Sequence, residues 1–166
     1  MADCLICRKH RGEISIPGGL VYEDDLVVAS HSLILEGETE SYLGILFVEP
    51  KRHVPGMAEL TAGEAQKTGL LISNLSKALK DSEGAEHVYL FVLGHHVPHL
   101  HIWLVPRYPD TPREYWGLRV DEWPDAPKGG VGEIDALCDR VREQLDTSAM
   151  NVEQESIVSV DIAGRN

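Results

Sequence analysis

The chain has 166 residues, 43% of them apolar and 25% charged, which suits one globular domain and leaves little room for a second. Its 15 basic and 27 acidic residues give a net charge of −12, a field that repels polyanions and argues against polymeric nucleic acid as a partner. No apolar run reaches the roughly 18 residues of a membrane-spanning helix, so no membrane partner is expected. The N-terminus lacks an apolar stretch of signal-peptide length, and a cytoplasmic protein is expected.

In chain order, Leu20 to Tyr22, Leu26 to Ile34 and Leu43 to Val48 read as strands, separated by Glu23-Asp24-Asp25 and Glu36-Gly37-Glu38. Antiparallel pairing through short turns follows from those spacings. Thr61 and Glu64 form a capping-box pattern, after which Ala65, Gly69, Ile72, Leu75 and Leu79 recur at helical spacing, predicting an amphipathic helix that ends near Lys80. His87 to Leu93 and Val97 to Val105 are β-rich runs around Gly94-His95-His96 and predict a hairpin. Arg107 to Gly130, rich in Pro, Gly and Trp, is expected to wrap the surface irregularly. Glu133 to Leu145 sets Ile134, Leu137, Val141 and Leu145 on one helical face, with Arg140 and Arg142 late in the segment, where they suit the helix dipole. In the tail, Val158, Val160 and Ile162 alternate like a strand that could pair with a partner chain.

Four of the eight histidines, His95, His96, His99 and His101, fall within seven residues. On a strand, His99, His101 and Trp103 share one face while Leu100, Ile102 and Leu104 point into the opposite layer. A packed row of imidazoles is an unusual solvated surface, so the row points to chemistry.

Of the three cysteines, Cys138 stands alone and Cys4 and Cys7 have CxxC spacing. A redox pair of this type follows a strand and opens a helix in a βαβ unit, whereas this one lies at the N-terminus before Arg8-Lys9-His10-Arg11. Zinc suits it better. A tetrahedral structural site needs two further ligands, for which His53 and His99 are the choices, with His10 or His96 able to substitute on spacing alone.

The run Gly94-His95-His96-Val97-Pro98-His99-Leu100-His101-Ile102-Trp103 resembles the motif of the histidine-triad (HIT) superfamily of nucleotide hydrolases and transferases. Cys4-Leu5-Ile6-Cys7, Val21-Tyr22-Glu23-Asp24-Asp25, Pro50-Lys51-Arg52-His53 and the capped helix stand in that family's order. The resemblance runs from about Asp3 to Arg107. It implies an α+β fold, an antiparallel sheet packed with a long helix, in a homodimer with zinc on Cys4, Cys7, His53 and His99. The expected HIT-like domain spans 1–146, with its core at 3–107 and a Pro- and Trp-rich wrap and helix at 108–146, followed by a tail at 147–166.

By the same resemblance, His101 matches the nucleophile that attacks the α-phosphate of a nucleotide. Imidazole titrates near about pH 6.5, so at neutral pH most of it keeps a free lone pair, and a covalent nucleotidyl-histidine intermediate would split one displacement into two. The third triad position is Trp103, whose indole can donate a hydrogen bond but exchanges no proton near neutral pH. His95 and His96 stand where relatives contact phosphate and are the candidates to replace it. Ser32 occupies the place of an acid that grips ribose in relatives, with His31 beside it, and Lys51, Arg52, Arg107 and Arg113 could offset the acidic field near a phosphate. The function implied is hydrolysis or transfer of nucleoside 5′-phosphate derivatives, such as dinucleoside polyphosphates, with a non-catalytic nucleotide-binding module as the alternative. A mononuclear zinc hydrolase built on the four clustered histidines would leave Cys4 and Cys7 unexplained.

Overall fold

The computed structural model describes residues 4–145. The strand expected at Val158–Ile162 lies outside them. A short helix α1 (Leu5–His10) precedes strands β1 (Leu20–Glu23), β2 (Val27–His31), β3 (Ser41–Tyr42) and β4 (Leu46–Pro50). The long helix α2 (Ala62–Glu83), strands β5 (His87–Phe91) and β6 (Ile102–Arg107), short β7 (Lys128–Gly129) and helix α3 (Val131–Gln144) complete the order. Five strands form one antiparallel sheet in the order β1-β2-β4-β6-β5, and β3 pairs with β7 in a separate two-stranded ribbon.

This is the α+β architecture expected, with several boundaries moved. Asp24 Oδ1 accepts from the N–H groups of Leu26 and Val27, so the turn after β1 holds Leu26 out of the strand. The strand expected over Leu43–Val48 starts later and runs further: Leu43 and Gly44 form a turn after Ser41 and Tyr42, which pair with β7, and Leu46–Pro50 joins the main sheet. β5 and β6 do pair, but residues 92–101 form a wide loop in place of a tight turn. Helix α1, unforeseen, is too short to stand alone.

Helix α2 starts on the expected capping box, with Glu64 N–H donating to Thr61 Oγ1 at 3.3 Å and Thr61 N–H to Glu64 Oε2 at 2.8 Å. It runs beyond Lys80 to Glu83, where Gly84 at φ 71° supplies the left-handed cap that a side chain would resist. Its buried stripe is Glu64, Thr68, Leu71, Leu75, Ala78 and Leu79. Ala65 and Gly69 are exposed. The stripe begins on polar residues, which a count of apolar positions passes over.

Leu71, Leu75 and Leu79 pack with Ile134, Leu137 and Val141 of α3 against Val27, Ala29, Leu46, Val48, Ile102 and Leu104 of the sheet. Each fully buried aliphatic side chain contributes about 1.5–3 kcal/mol. That dry layer makes the sheet a rigid plate. The opposite face carries Ser30, Phe47, Glu49 and Trp103, which share it through the pairing of β2 with β4 and of β4 with β6, and here the polar chemistry gathers.

Candidate functional site

Two clusters lie side by side on this face. In the first, one ligand atom from each of Cys4, Cys7, His53 and His99 falls within 4.8 Å of the others. His99 Nδ1 lies 3.6 Å from Cys4 Sγ and 3.4 Å from Cys7 Sγ, and His53 Nδ1 lies 3.4 Å from Cys7 Sγ. Tetrahedral zinc, with bonds of about 2.3 Å to sulfur and about 2.0–2.1 Å to nitrogen, separates a sulfur from a nitrogen by about 3.6 Å. The donor set therefore fits a metal ion of that size.

His99 is fully buried, and its Nε2–H donates to the Pro50 carbonyl at 2.8 Å, which fixes the tautomer and turns Nδ1 toward the thiols. Burial pushes the His99 imidazole below its ordinary pKa, against the pull of the Pro50 hydrogen bond, keeping it in the neutral form a metal requires. His10 and His96, the alternatives on spacing, stand outside the cluster. His10 meets the His99 ring edge-on at 5.5 Å and donates from Nε2 to Glu49 Oε2 at 2.9 Å, and His96 is exposed.

The second cluster borders a cavity of about 680 Å³. Its lining includes His101, Trp103, Ser32, His95 and His96, so all five residues singled out for catalysis and substrate contact meet in one space. His101 Nδ1–H donates to the His99 carbonyl at 2.7 Å, which leaves the Nε2 lone pair free. Phe47 braces both aromatic neighbours, its ring centroid 6.0 Å from that of His101 and 4.8 Å from that of Trp103. The Trp103 indole N–H is buried without an acceptor among the described residues.

Other candidates are placed elsewhere. His31, expected to flank a ribose, is fully buried. Its Nδ1–H donates to the Ser32 carbonyl and its Nε2 accepts from Gly44 N–H, so neither nitrogen is available. Burial also depresses its pKa. Lys51 pairs with Glu23, and Arg52 with Glu64. Arg107 pairs with Glu86 and stacks on Trp116, over which Arg113 also lies. None of these four cations borders the cavity.

Lys9 and Glu49, passed over in the sequence, do border it. Lys9 Nζ donates to Glu49 Oε1 at 2.6 Å and to Ser30 Oγ at 3.2 Å, with side-chain exposures of 4% for Lys9 and 2% for Glu49. Burial pushes the Glu49 carboxyl up, but the His10 hydrogen bond and the Lys9 charge outweigh it and hold the pKa below the ordinary range. A signal was present: Glu49 is a lone charge in a strand, two positions from Phe47 on the face that His101 and Trp103 occupy.

A half-buried imidazole with one nitrogen anchored and the other open, beside a closed Cys₂His₂ cluster on an antiparallel sheet, defines a protein of the histidine-triad type. The HIT domain family model matches residues 13–110, more than half of the chain, and the chain belongs to that family. Among solved structures it is similar to a hypothetical histidine triad nucleotide-binding protein from Sulfolobus tokodaii, at 19% identity and TM-score 0.66, covering 92% of this chain and 99% of that one. A Zn-bound histidine triad family protein from Mycobacterium smegmatis follows at 17% identity and TM-score 0.64, covering 89% and 98%. A Hit-like protein involved in cell-cycle regulation from Bartonella henselae gives 19% and 0.63, covering 87% and 98%. No curated protein matches the chain. Among the described residues no helix is long and apolar enough to cross a membrane.

Proposed function

We propose that the protein hydrolyses or transfers nucleoside 5′-phosphate derivatives, such as dinucleoside polyphosphates, through a covalent intermediate on His101. The observation that carries this reading is the anchored Nδ1–H of His101, bonded to the His99 carbonyl at 2.7 Å beside the cavity. The Nε2 lone pair attacks the α-phosphorus in line with the leaving group. The P–N bond forms as the bond from phosphorus to the leaving oxygen breaks, and the leaving group departs with that electron pair. The imidazole gains positive charge while its Nδ1–H faces the carbonyl oxygen. Water, or an acceptor hydroxyl in transfer, then attacks phosphorus, the P–N pair returns to Nε2, and the released proton passes to His95 or His96 at the exposed loop. Two inversions give net retention at phosphorus.

Cys4, Cys7, His53 and His99 would hold zinc, which with four protein ligands has no open position and would act as a structural tie between α1 and the sheet. Ser32 is the ribose-side contact. Two cysteine thiolates of this kind suit the reducing cytoplasm. Among the described residues β5 is an edge strand, and its outer edge, with Leu90 and Val92 about half exposed, offers a second copy of the chain the surface for a homodimer.

Incubation with a nucleotide radiolabelled at the α-phosphate tests the reading. Covalent label on the wild-type protein, lost in His101→Ala, is the expected result. Nucleotide binding without label would favour the non-catalytic module, for which Trp103 at the third triad position is the specific observation.

A further inference from the structure

Every lysine of the chain lies among the described residues, and Lys9 alone of them is buried. A lysine removed from water at the wall of a cavity calls for an explanation, because its desolvation is costly unless it is paired or used. Pairing is part of the answer, through Glu49 and Ser30. An ammonium has three N–H donors, and among the described residues those two acceptors leave one. Lys9 Nζ also lies 5.4 Å from the centroid of the Phe47 ring, the ring that braces His101. The buried cation and the nucleophile thus rest against one side chain.

The charges around the cavity sharpen the point. Among the described residues Glu38, Glu40, Glu49 and Asp121 border it, against two lysines, Lys9 and Lys128. Lys128 is exposed on the β3–β7 ribbon, whereas Lys9 is buried on α1 against Phe47, whose ring also meets His101. A phosphoryl group in so acidic a lining needs a fixed cation, and Trp103 supplies none. A charge held in a dry wall also acts more strongly than one in water.

Resting on the nucleotide reading above, we propose that Lys9 is the phosphate-binding cation of this site, its third N–H donating to a non-bridging oxygen of the phosphoryl group at His101. Glu49 is its positioning residue. The carboxylate aims the ammonium through Oε1, while His10 holds Oε2 and keeps the carboxylate from turning.

The test compares nucleoside 5′-monophosphates with the same nucleosides lacking phosphate, using calorimetry on the metal-loaded full chain. The double variant Lys9→Met/Glu49→Met replaces the pair by apolar groups of similar volume, an exchange that buried ion pairs generally tolerate in stability. It is expected to bind nucleosides as the wild type does and to bind monophosphates about tenfold or more weakly, the loss of one charge-assisted hydrogen bond. An unchanged ratio of monophosphate to nucleoside affinity overturns the proposal, and an equal loss for both ligands would mark Lys9 as structural only. A second measurement needs no substitution: in protein labelled with ¹⁵N at lysine, the protected Lys9 ammonium signal should shift with monophosphate and stay fixed with nucleoside. A signal indifferent to both ligands, in protein that binds monophosphate, overturns the assignment of Lys9 alone. A wild type that neither binds nor is labelled by nucleotides overturns the nucleotide reading itself.

Discussion

The cysteine–histidine cluster and the cavity share one stretch of chain, His99 to His101, and use it in opposite ways. At His99 both ring nitrogens are committed, one to the thiols and one to the Pro50 carbonyl, and the ring is buried. At His101 one nitrogen is anchored to the backbone and the other is left open beside the cavity. Two residues along the same face, full commitment makes a clasp, and half commitment leaves the lone pair that the proposed reaction needs. Exchanging their defects is the strongest way to break this contrast. His101→Ala is expected to lower turnover of an α-labelled nucleotide by about 10³-fold or more, since the nucleophile itself is lost. Its thermal midpoint should stay near that of the wild type, because a half-exposed side chain outside the core contributes within about 0.5 kcal/mol. A collapse in stability would refute the division of labour.

The mirror experiment removes a clasp. Cys7→Ser, or a strong chelator on the wild type, should cost about 4 kcal/mol where the metal stands at about 1,000 times its dissociation constant, or about 10 °C in Tm for a chain of this size. The same loss should follow acidification. Metal binds the thiolates, and in the metal-free protein burial, together with the Cys4 hydrogen bond and charge, pushes the Cys7 thiol up. Protons therefore compete for the site, and the metal-dependent part of stability is present at neutral pH and fades as pH falls. A Tm indifferent to chelator and to the serine variant would leave the cluster as four residues in proximity and nothing more.

The two regions also differ in how far the sequence revealed them. The clasp was readable because tetrahedral metal chemistry fixes both ligand type and number, so two cysteines force a search for two histidines. The capping box and the apolar stripe of α3 were readable for a similar reason: local geometry dictates local residues. The cavity floor was not. Lys9 sits in a run of charge, Arg8-Lys9-His10-Arg11, that reads as solvated, and only the docking of α1 against β4 turns it inward to Glu49. His31 shows the converse, a polar residue with a plausible ligand-facing place that the fold consumes in holding Gly44 and Ser32. Pairings distant in sequence decide both cases, and periodicity carries no information about them.

A smaller effect is expected where the cavity departs from the family pattern. Trp103 can donate but not transfer a proton, so chemistry through His101 should depend on how well the leaving group departs unaided. Trp103→His is expected to raise turnover by about 10²-fold for a derivative with a poor leaving group, such as a nucleoside 5′-phosphate alkyl ester, the low end of general-acid help. With a polyphosphate leaving group it should change little. Comparing the two substrates on one protein makes this a ratio, insensitive to any loss from the cavity the smaller ring leaves. Equal acceleration of both would mean that Trp103 obstructs the site sterically.

The smallest effect probes how far the clasp depends on its surroundings. His53 follows Arg52, whose guanidinium holds Glu64 at the start of α2 through hydrogen bonds of 2.9 and 2.7 Å. The Arg52 hydrogen bond, opposed by burial and aided by Thr61, keeps the Glu64 carboxyl at about 2. A folded pKa below the unfolded value of about 4.3 contributes stability that is complete above that value and is lost as pH falls toward about 2. Glu64→Gln should therefore cost about 1–2 kcal/mol at pH 7, a modest figure because Arg52 is half exposed and screened, and close to nothing at pH 2. If the four ligands are self-sufficient, metal affinity in this variant should match the wild type. A fall of more than tenfold would mean that the His53 side of the clasp is held by α2 as much as by the metal, and that its independence from the rest of the fold is only apparent.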